Sequence, residues 1–451
     1  MITRISVTAL SLGALLSFST TARAKNPFIT SIFTADPSAH VWNDGRLYVY
    51  PSHDMDPPRG CDLMDRYHVF STDDMKHWRD EGEILRASDV SWGRSEGGFM
   101  WAPDCAFKDG MYYFYYPHPS GTDWNQTWKI GIAKSTKPAS DFKPAGFIEG
   151  LDGRSMIDPS VFIDDDGQAY FYYGGGGRCQ GGKLQENMVQ IDGKMREMTG
   201  LVDFHEATWV FKRNGIYYLT YSDNQPAANR LRYATSSSSL GPWTHKGIYL
   251  QPTGCDTSHG SVVEYKGKWY AFYHNQSLSG QGNLRSICVD ELKFNDDGTI
   301  QTVIQTKATA PANQASEKTK GTITYEAETG ASGNSASIEN DDAASGGKSV
   351  QNLHLTGAFM ELNHVEGGKR SGQATIDIQY GSAENAKIRL LVNGADYSLL
   401  NAFATGGWNK YDGHTSLTVP LGLGATNTIR LVGGNGGVNV DSISVIPLNH
   451  E

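Results

Sequence analysis

The chain reads as an all-β protein, a five-bladed β-propeller followed by a β-sandwich module of jelly-roll type. Three observations predict this. Five stretches, AHVWNDGRLYVY, CAFKDGMYYFYY, VFIDDDGQAYFYY, WVFKRNGIYYLTYS and VVEYKGKWYAFYH, repeat one pattern of strand, tight turn at a glycine, and strand rich in Tyr and Phe. The turn glycines, Gly45, Gly110, Gly167, Gly215 and Gly267, lie 48 to 65 residues apart, a spacing suited to blades of a propeller with longer loops. Composition then breaks at KATAPANQASEKTKG, and short alternating segments follow with no helical period.

Taken in order, residues 1–24 read as a signal peptide: Arg4, an apolar run ALSLGALLSF, and ARA as a cleavage site before Lys25. That run is too short to span a bilayer comfortably, so the expected location is secreted or periplasmic, with no membrane partner. Residues 25–306 form the expected propeller. Residues 307–321 read as a linker, flexible enough to leave the two domains unoriented, with docking of the module on the propeller as the alternative. Residues 322–451 carry FMELNHV, QATIDIQY, KIRLLVNG, TIRLVGG and VNVDSISVI, short strands at sandwich spacing. The net charge of −10 without a basic run argues against nucleic acid as a partner. Five cysteines with no C-x-x-C pair make a zinc site unlikely and leave at least one thiol unpaired. A monomer without organic cofactor is expected.

Counting nine residues back from each turn glycine gives Asp36, Trp101, Asp158, Glu206 and Ser258, with His259 beside the last. Equivalent positions of equivalent blades meet at one mouth of the central channel. A β-sandwich with unrelated hairpins would also have such turns, but has no reason to repeat the offset. Three carboxylates on one rim suit glycoside hydrolysis, where one carboxyl protonates the leaving oxygen and another activates water or attacks the sugar. Glu206 has the longer reach and is the expected general acid, Asp36 the general base, and Asp158 a neighbour whose charge raises the Glu206 pKa. Asp164, Asp165 and Asp166 read as a hairpin run without chemistry. His259 is either a buried structural histidine or a contact to a central cation. Arg285 is either a surface ion pair or a guanidinium holding sugar hydroxyls or a catalytic carboxylate. Trp101 is the expected stacking surface for sugar.

The segments TADPSAHVWNDGRLYVY, WAPD, IDPSVFIDDDGQAYFYYGG, HEATWVFKRNGIYYLTYS, SHGSVV and RSICVDELKFNDDGTI together resemble glycoside hydrolase family 43 over residues 26 to 305. The resemblance implies an inverting glycosidase on a five-bladed propeller. It also implies Asp36 as base, Asp158 as pKa modulator, Glu206 as acid, His259 beside a calcium ion or water, and Arg285 in contact with substrate. Glu206 is followed by Ala207 where the family more often has glycine. The ending is most similar to arabinofuranosidases acting on arabinoxylan and related plant cell-wall polysaccharides. A β-xylosidase, an exo-galactanase and a non-catalytic glycan-binding protein are the alternatives. Residues 322–447 resemble carbohydrate-binding module family 6 or 35. This implies a structural calcium held by Glu326, Glu328 and Asp441, a stacking Trp408 and a sugar-binding Asn439. SVQNLHLTGAFMEL offers no evident partner aromatic.

Overall fold

The computed structural model describes residues 26–56, 62–123, 126–223, 225, 228–307, 315–355 and 357–448. The expected signal peptide, Cys61 and much of the linker lie outside them. Four sheets of four strands and one of three form the blades. They are β1 (Phe33–Val41) to β4 (Arg79–Arg86), β5 (Asp104–Lys108) to β8 (Lys143–Phe147) and β9 (Ser160–Ile163) to β12 (Ile191–Glu197). The fourth is β13 (Glu206–Arg213) to β16 (Thr244–Leu250), and the fifth β17 (Ser261–Tyr265) to β19 (Ser286–Leu292). The first strands, β1, β5, β9, β13 and β17, touch one another in a ring. All five turn glycines adopt φ between 76° and 83° with open space where a Cβ would stand. Each is a position that glycine alone takes without strain.

The aromatic richness of the second strands follows from blade-on-blade packing. In β10 (Ala169–Gly175), Phe171 and Tyr173 pack toward the second blade with Tyr115, while Tyr170 and Tyr172 pack toward the fourth with Leu219 and Tyr221. A strand buried on both faces spends its period of two on two different cores. Large rings fill the wedge between diverging sheets, and truncating one costs about 3–5 kcal/mol.

The ring is closed by the segment preceding β1. Phe28 N–H donates to the Ile287 carbonyl at 3.2 Å and Thr34 N–H to that of Arg285 at 2.9 Å. The Asn26 side chain donates to the Val289 carbonyl at 2.9 Å and accepts the Val289 N–H at 2.8 Å. The three-stranded fifth sheet thus gains a partner from the other end of the domain.

The C-terminal module is two facing sheets. One contains β22 (Ser337–Asn340), β23 (Lys348–Gln351), β30 (Asn439–Pro447), β25 (Gly372–Gly381) and β28 (Gly413–Leu421), with β20 (Ile323–Glu326) paired to β30. The other contains β21 (Ala331–Gly333), β24 (Phe359–Val365), β29 (Asn427–Gly433), β26 (Ala386–Val392) and β27 (Ala395–Ala402). Ile376, Ile378, Leu390 and Leu431 lie in the core between them. Of the two arrangements open to the linker, a free tether and a docked module, the contacts are those of docking. Thr418 donates its N–H to the Asp80 carboxylate and its hydroxyl to the Asp80 carbonyl, both at 2.7 Å. Arg66 donates to the Tyr397 carbonyl at 2.7 Å, Asn401 N–H donates to the Ser31 carbonyl at 2.8 Å, and Lys387 pairs with Asp56. The module is seated on the first blade through polar groups on its own strands, so tethering by the linker does not determine the arrangement.

Candidate active site

Asp36 lies inside β1, at a bulge between Ala35 and Ser38. Its φ is +49°, and those of Asp158 and Ala207 are +53° and +68°. Left-handed backbone at residues other than glycine is uncommon and concentrates at functional sites. The kinks lie at two of the acids and at the residue following the third.

Asp36 is buried and densely held. Its carboxylate accepts from Ser52 Oγ at 2.7 Å and from Arg285 Nη1 at 2.9 Å, with Arg285 Nη2 at 3.4 Å. Its backbone N–H donates to His274 Nδ1 at 3.1 Å, and His274 Nε2 lies 2.9 Å from the Thr257 carbonyl. That network assigns His274 the neutral tautomer with its proton on Nε2. Burial, reinforced by Arg285, pushes its pKa down to about 3. For Asp36, burial pushes upward, but Arg285, His259, His274 and the Ser52 hydroxyl outweigh it and hold the carboxyl below the usual range. It is ionised at neutral pH.

Asp158 shows the opposite balance. Burial and the charge of Glu206 both push its pKa well above the usual carboxylate range, against the Ala207 N–H that it accepts at 2.6 Å. Glu206, at the start of β13, is 17% exposed and has His205 Nδ1 at 3.5 Å from its Oε2. A neighbouring negative charge adds to burial in favouring the neutral form of Asp158.

His259 is buried, with Nδ1 3.7 Å from Asp158 Oδ2, and burial drives its pKa down to about 4. It sits between the acids as a neutral imidazole. Arg285 is 7% exposed and its guanidinium is turned inward onto Asp36, Asp54 and Thr257. Of the two functional readings left open for it, the structure shows the grip on a carboxylate. Trp101 is half-buried, its ring centroid 4.4 Å from that of Trp128 and its carbonyl accepting the Tyr67 hydroxyl at 2.7 Å. Asp164 and Asp165 pair with Lys212, as a hairpin run without chemistry would.

Counting from the glycines missed three residues. Asp104 is buried, accepting from Ser38 Oγ at 2.6 Å and from the Val161 N–H of the next blade at 2.6 Å, with His40 Nε2 at 2.7 Å. It stands six residues before its turn glycine, as does Ser261, whose Oγ accepts the Ala39 N–H at 3.1 Å. A second count at offset six would have found this layer of inter-blade stitches. Asp54 and His274 lie on second strands, where that count does not reach.

In the module, Trp408 is 42% exposed and its carbonyl accepts from Asn439 Nδ2 at 3.1 Å. A Cβ at Gly437 would stand 3.0 Å from both the Trp408 ring and His354 Cβ, so glycine there keeps the ring's surroundings open. Among the described residues no three His, Cys, Asp or Glu side chains form a ready metal cluster. The expected calcium ligands are nonetheless neighbours. Ser345 Oγ donates to Glu326 Oε2 at 2.6 Å and lies 3.1 Å from Asp441 Oδ1, which also accepts the Ser345 N–H at 2.8 Å. Glu328 Oε2 is buried without a hydrogen-bond partner, and a Cβ at Gly346 would collide with the Glu328 carboxylate. An orphaned buried carboxylate oxygen beside two further acids fits a hard cation.

Comparison with known proteins agrees with this arrangement. Residues 24–300 match glycosyl hydrolases family 43, and residues 331–445 match carbohydrate binding module family 35. The chain is similar to xylosidase/arabinosidase 43A of Humicola insolens, 37% identical over 333 residues, covering 61% of this chain and 98% of that protein. It is similar to an arabinoxylan arabinofuranohydrolase of Bacillus subtilis, 30% identical over 447 residues, covering 85% of this chain and 84% of that protein. Among solved structures, it resembles a family 43 β-xylosidase/α-arabinofuranosidase from a compost microbial metagenome, in complex with xylotriose and calcium-free. The TM-score is 0.57 at 36% identity, covering 62% of this chain and 96% of that one. The family match spans the whole propeller that carries the three acids, and the chain therefore belongs to glycosyl hydrolases family 43, as a glycoside hydrolase with a C-terminal carbohydrate-binding module.

Proposed function

We propose that the protein is an exported, exo-acting, inverting α-L-arabinofuranosidase that releases arabinose from arabinoxylan or arabinan. The observation that carries the mechanism is the opposed environment of the rim carboxyls: Asp36 is held below the usual carboxylate range by Arg285, while burial and the charge of Glu206 hold Asp158 well above it. Opposed environments divide acid from base. In this reading Asp36 takes a proton from a water molecule as the water attacks the anomeric carbon. Glu206 gives its proton to the departing glycosidic oxygen, and Asp158 keeps that proton available. Inversion leaves room for water, with the two carboxyl groups roughly 6.5–9.5 Å apart.

The arabinofuranoside preference is supported by similarity to an arabinoxylan arabinofuranohydrolase over 85% of this chain, a span that takes in both domains. A β-xylosidase on the same site is the second reading, favoured by the 37% identical xylosidase/arabinosidase. Export is supported by the charged, apolar and A-x-A order of residues 1–24. Glu326, Glu328 and Asp441 would hold a calcium ion whose part is structural, neutralising three crowded carboxylates. Hydrolysis of p-nitrophenyl α-L-arabinofuranoside, β-D-xyloside and β-D-galactoside tests the preference, and NMR of the first-formed sugar tests inversion. Turnover of the xyloside alone would overturn the arabinofuranosidase reading, and a retained anomer would overturn Asp36 as base.

A further inference from the structure

We propose that Asp54 is a positioning residue of the reaction: it grips Arg285 so that one guanidinium orients the Asp36 base while its charge is divided between two carboxylates. The proposal rests on Asp36 being the base.

Asp54 ends β2 (Leu47–Asp54), paired across the sheet with Phe33 three residues before Asp36, and its side chain is fully buried. Arg285 Nε donates to Asp54 Oδ2 at 2.9 Å and Nη2 to Asp54 Oδ1 at 2.9 Å, a bidentate fork. The Arg285 backbone N–H adds a third bond to Oδ2 at 2.7 Å. Nη1 donates to Asp36 Oδ1 at 2.9 Å and to Thr257 Oγ1 at 2.8 Å, while Nη2 reaches Asp36 Oδ2 at 3.4 Å. All five guanidinium N–H groups are thereby engaged. The longest of these contacts, Nη2 to Asp36 Oδ2 at 3.4 Å, completes a guanidinium that faces both carboxylates at once.

The charge division matters because a base must be ionised and still accept a proton. Asp36 faces Arg285, His259, His274 and the Ser52 hydroxyl, with the Asp158 carboxyl beyond; both histidines are neutral. Asp54 faces Arg285, Asp36 and the Cys255 thiol. Arg285 is thus the only fixed cation in this set, and two acids compete for it. With Asp54 neutral, the whole guanidinium charge falls on Asp36 and weakens it as a base. Burial holds Asp54 above the usual carboxylate range despite Arg285, whereas Asp36 lies below it. Of the two acids that hold Arg285, Asp54 is therefore the one that takes a proton first on acidification, and the division of charge is then lost.

Asp54→Asn in the full chain tests this. The expected result is a fall in kcat of between about tenfold and a hundredfold, the scale of a slightly misplaced catalytic group. KM should stay within a small factor, and the acidic limb of kcat/KM should move to lower pH. Arg285→Lys should move the acidic limb the opposite way. An unchanged kcat, or an acidic limb that rises in Asp54→Asn, would overturn the proposal. If thermal melting shows that Asp54→Asn does not fold, Arg285→Ala carries the test. Millimolar guanidinium ion should restore its turnover, and restore it less well when Asp54→Ser is added; equal rescue in both would sink the idea. Asp36→Asn separates the two levels: if it retains turnover, the base assignment itself has failed, whereas its inactivity alongside a fully active Asp54→Asn rejects Asp54 alone.

Discussion

Ala207 donates its backbone N–H to Asp158 Oδ2 at 2.6 Å, so the residue following Glu206 is tethered to the carboxylate of the neighbouring blade. The bond crosses the interface between the third and fourth blades. It ties the Asp158 carboxylate to the main chain beside Glu206, a group that has no rotamer to relax.

Asp158→Asn is expected to stabilise the protein and cripple it. The amide oxygen still accepts the Ala207 N–H, while the buried charge facing Glu206 disappears. Asp158 is raised in the folded state, so the native protein binds its proton more tightly than the unfolded chain does. Its ionisation costs nothing below the unfolded pKa of about 3.9 and destabilises as pH rises through the folded value. The melting temperature of Asp158→Asn should exceed that of the wild type by about 2 °C or more at pH 7, with the gain vanishing in acid. Its kcat should fall about a hundredfold or more. Scanning calorimetry at several pH values checks the first part and steady-state kinetics the second; a gain that persists below pH ~3.9 would reject the electrostatic account.

Ala207→Gly is expected to stabilise modestly. A left-handed φ of +68° costs an L-residue about 1–2 kcal/mol, and the added freedom of glycine when unfolded returns about 0.5–1 kcal/mol of this. The net gain, up to about 1.5 kcal/mol, is measurable by urea unfolding. Destabilisation would show that the Ala207 methyl packs usefully against its neighbours.

Removing residues 322–451 should destabilise the propeller, because the first blade loses Thr418, Tyr397 and Asn401 as partners. Turnover of a small aryl glycoside per folded molecule should be nearly unchanged, and activity on insoluble arabinoxylan should fall. Trp408→Ala isolates the second effect: the ring is 42% exposed, so melting stays put while retention on polysaccharide drops. Unaltered retention would remove Trp408 from the glycan-binding role.

A chelator should lower the melting temperature of the module while leaving aryl-glycoside turnover intact. Glu328→Gln should abolish that sensitivity, since it replaces the carboxylate whose Oε2 is buried without a hydrogen-bond partner. Chelator-insensitive melting of the wild type would reject a calcium site at Glu326, Glu328 and Asp441.

The propeller was legible because its symmetry is written in local chemistry. Each blade needs a glycine at a positive-φ turn, and a fixed count from that turn returns the same height on every inner strand. Asp36, Asp158 and Glu206 fell out of one count, and Asp104 would have fallen out of another. Asp54 and His274 were not legible, because their value lies in reaching Arg285 and the Asp36 amide across strands joined by no regular spacing. Seating of the module was hidden for a related reason. Asp80, Arg66 and Ser31 dock it through single polar groups and main-chain atoms, which leave no hydrophobic pattern in the sequence.

The hydrogen bonds from Asn26 to Val289 span 263 residues, a far longer reach than any within a blade. Contacts of such separation carry a large loop-closure cost and form late. The segment that makes them runs directly into β1 (Phe33–Val41), which bears Asp36, and the residue that Thr34 meets across the seam is Arg285. Closing the seam is thus also what brings the base to its guanidinium. Opening this seam is therefore expected to separate the base from its guanidinium, so turnover should report the completed ring.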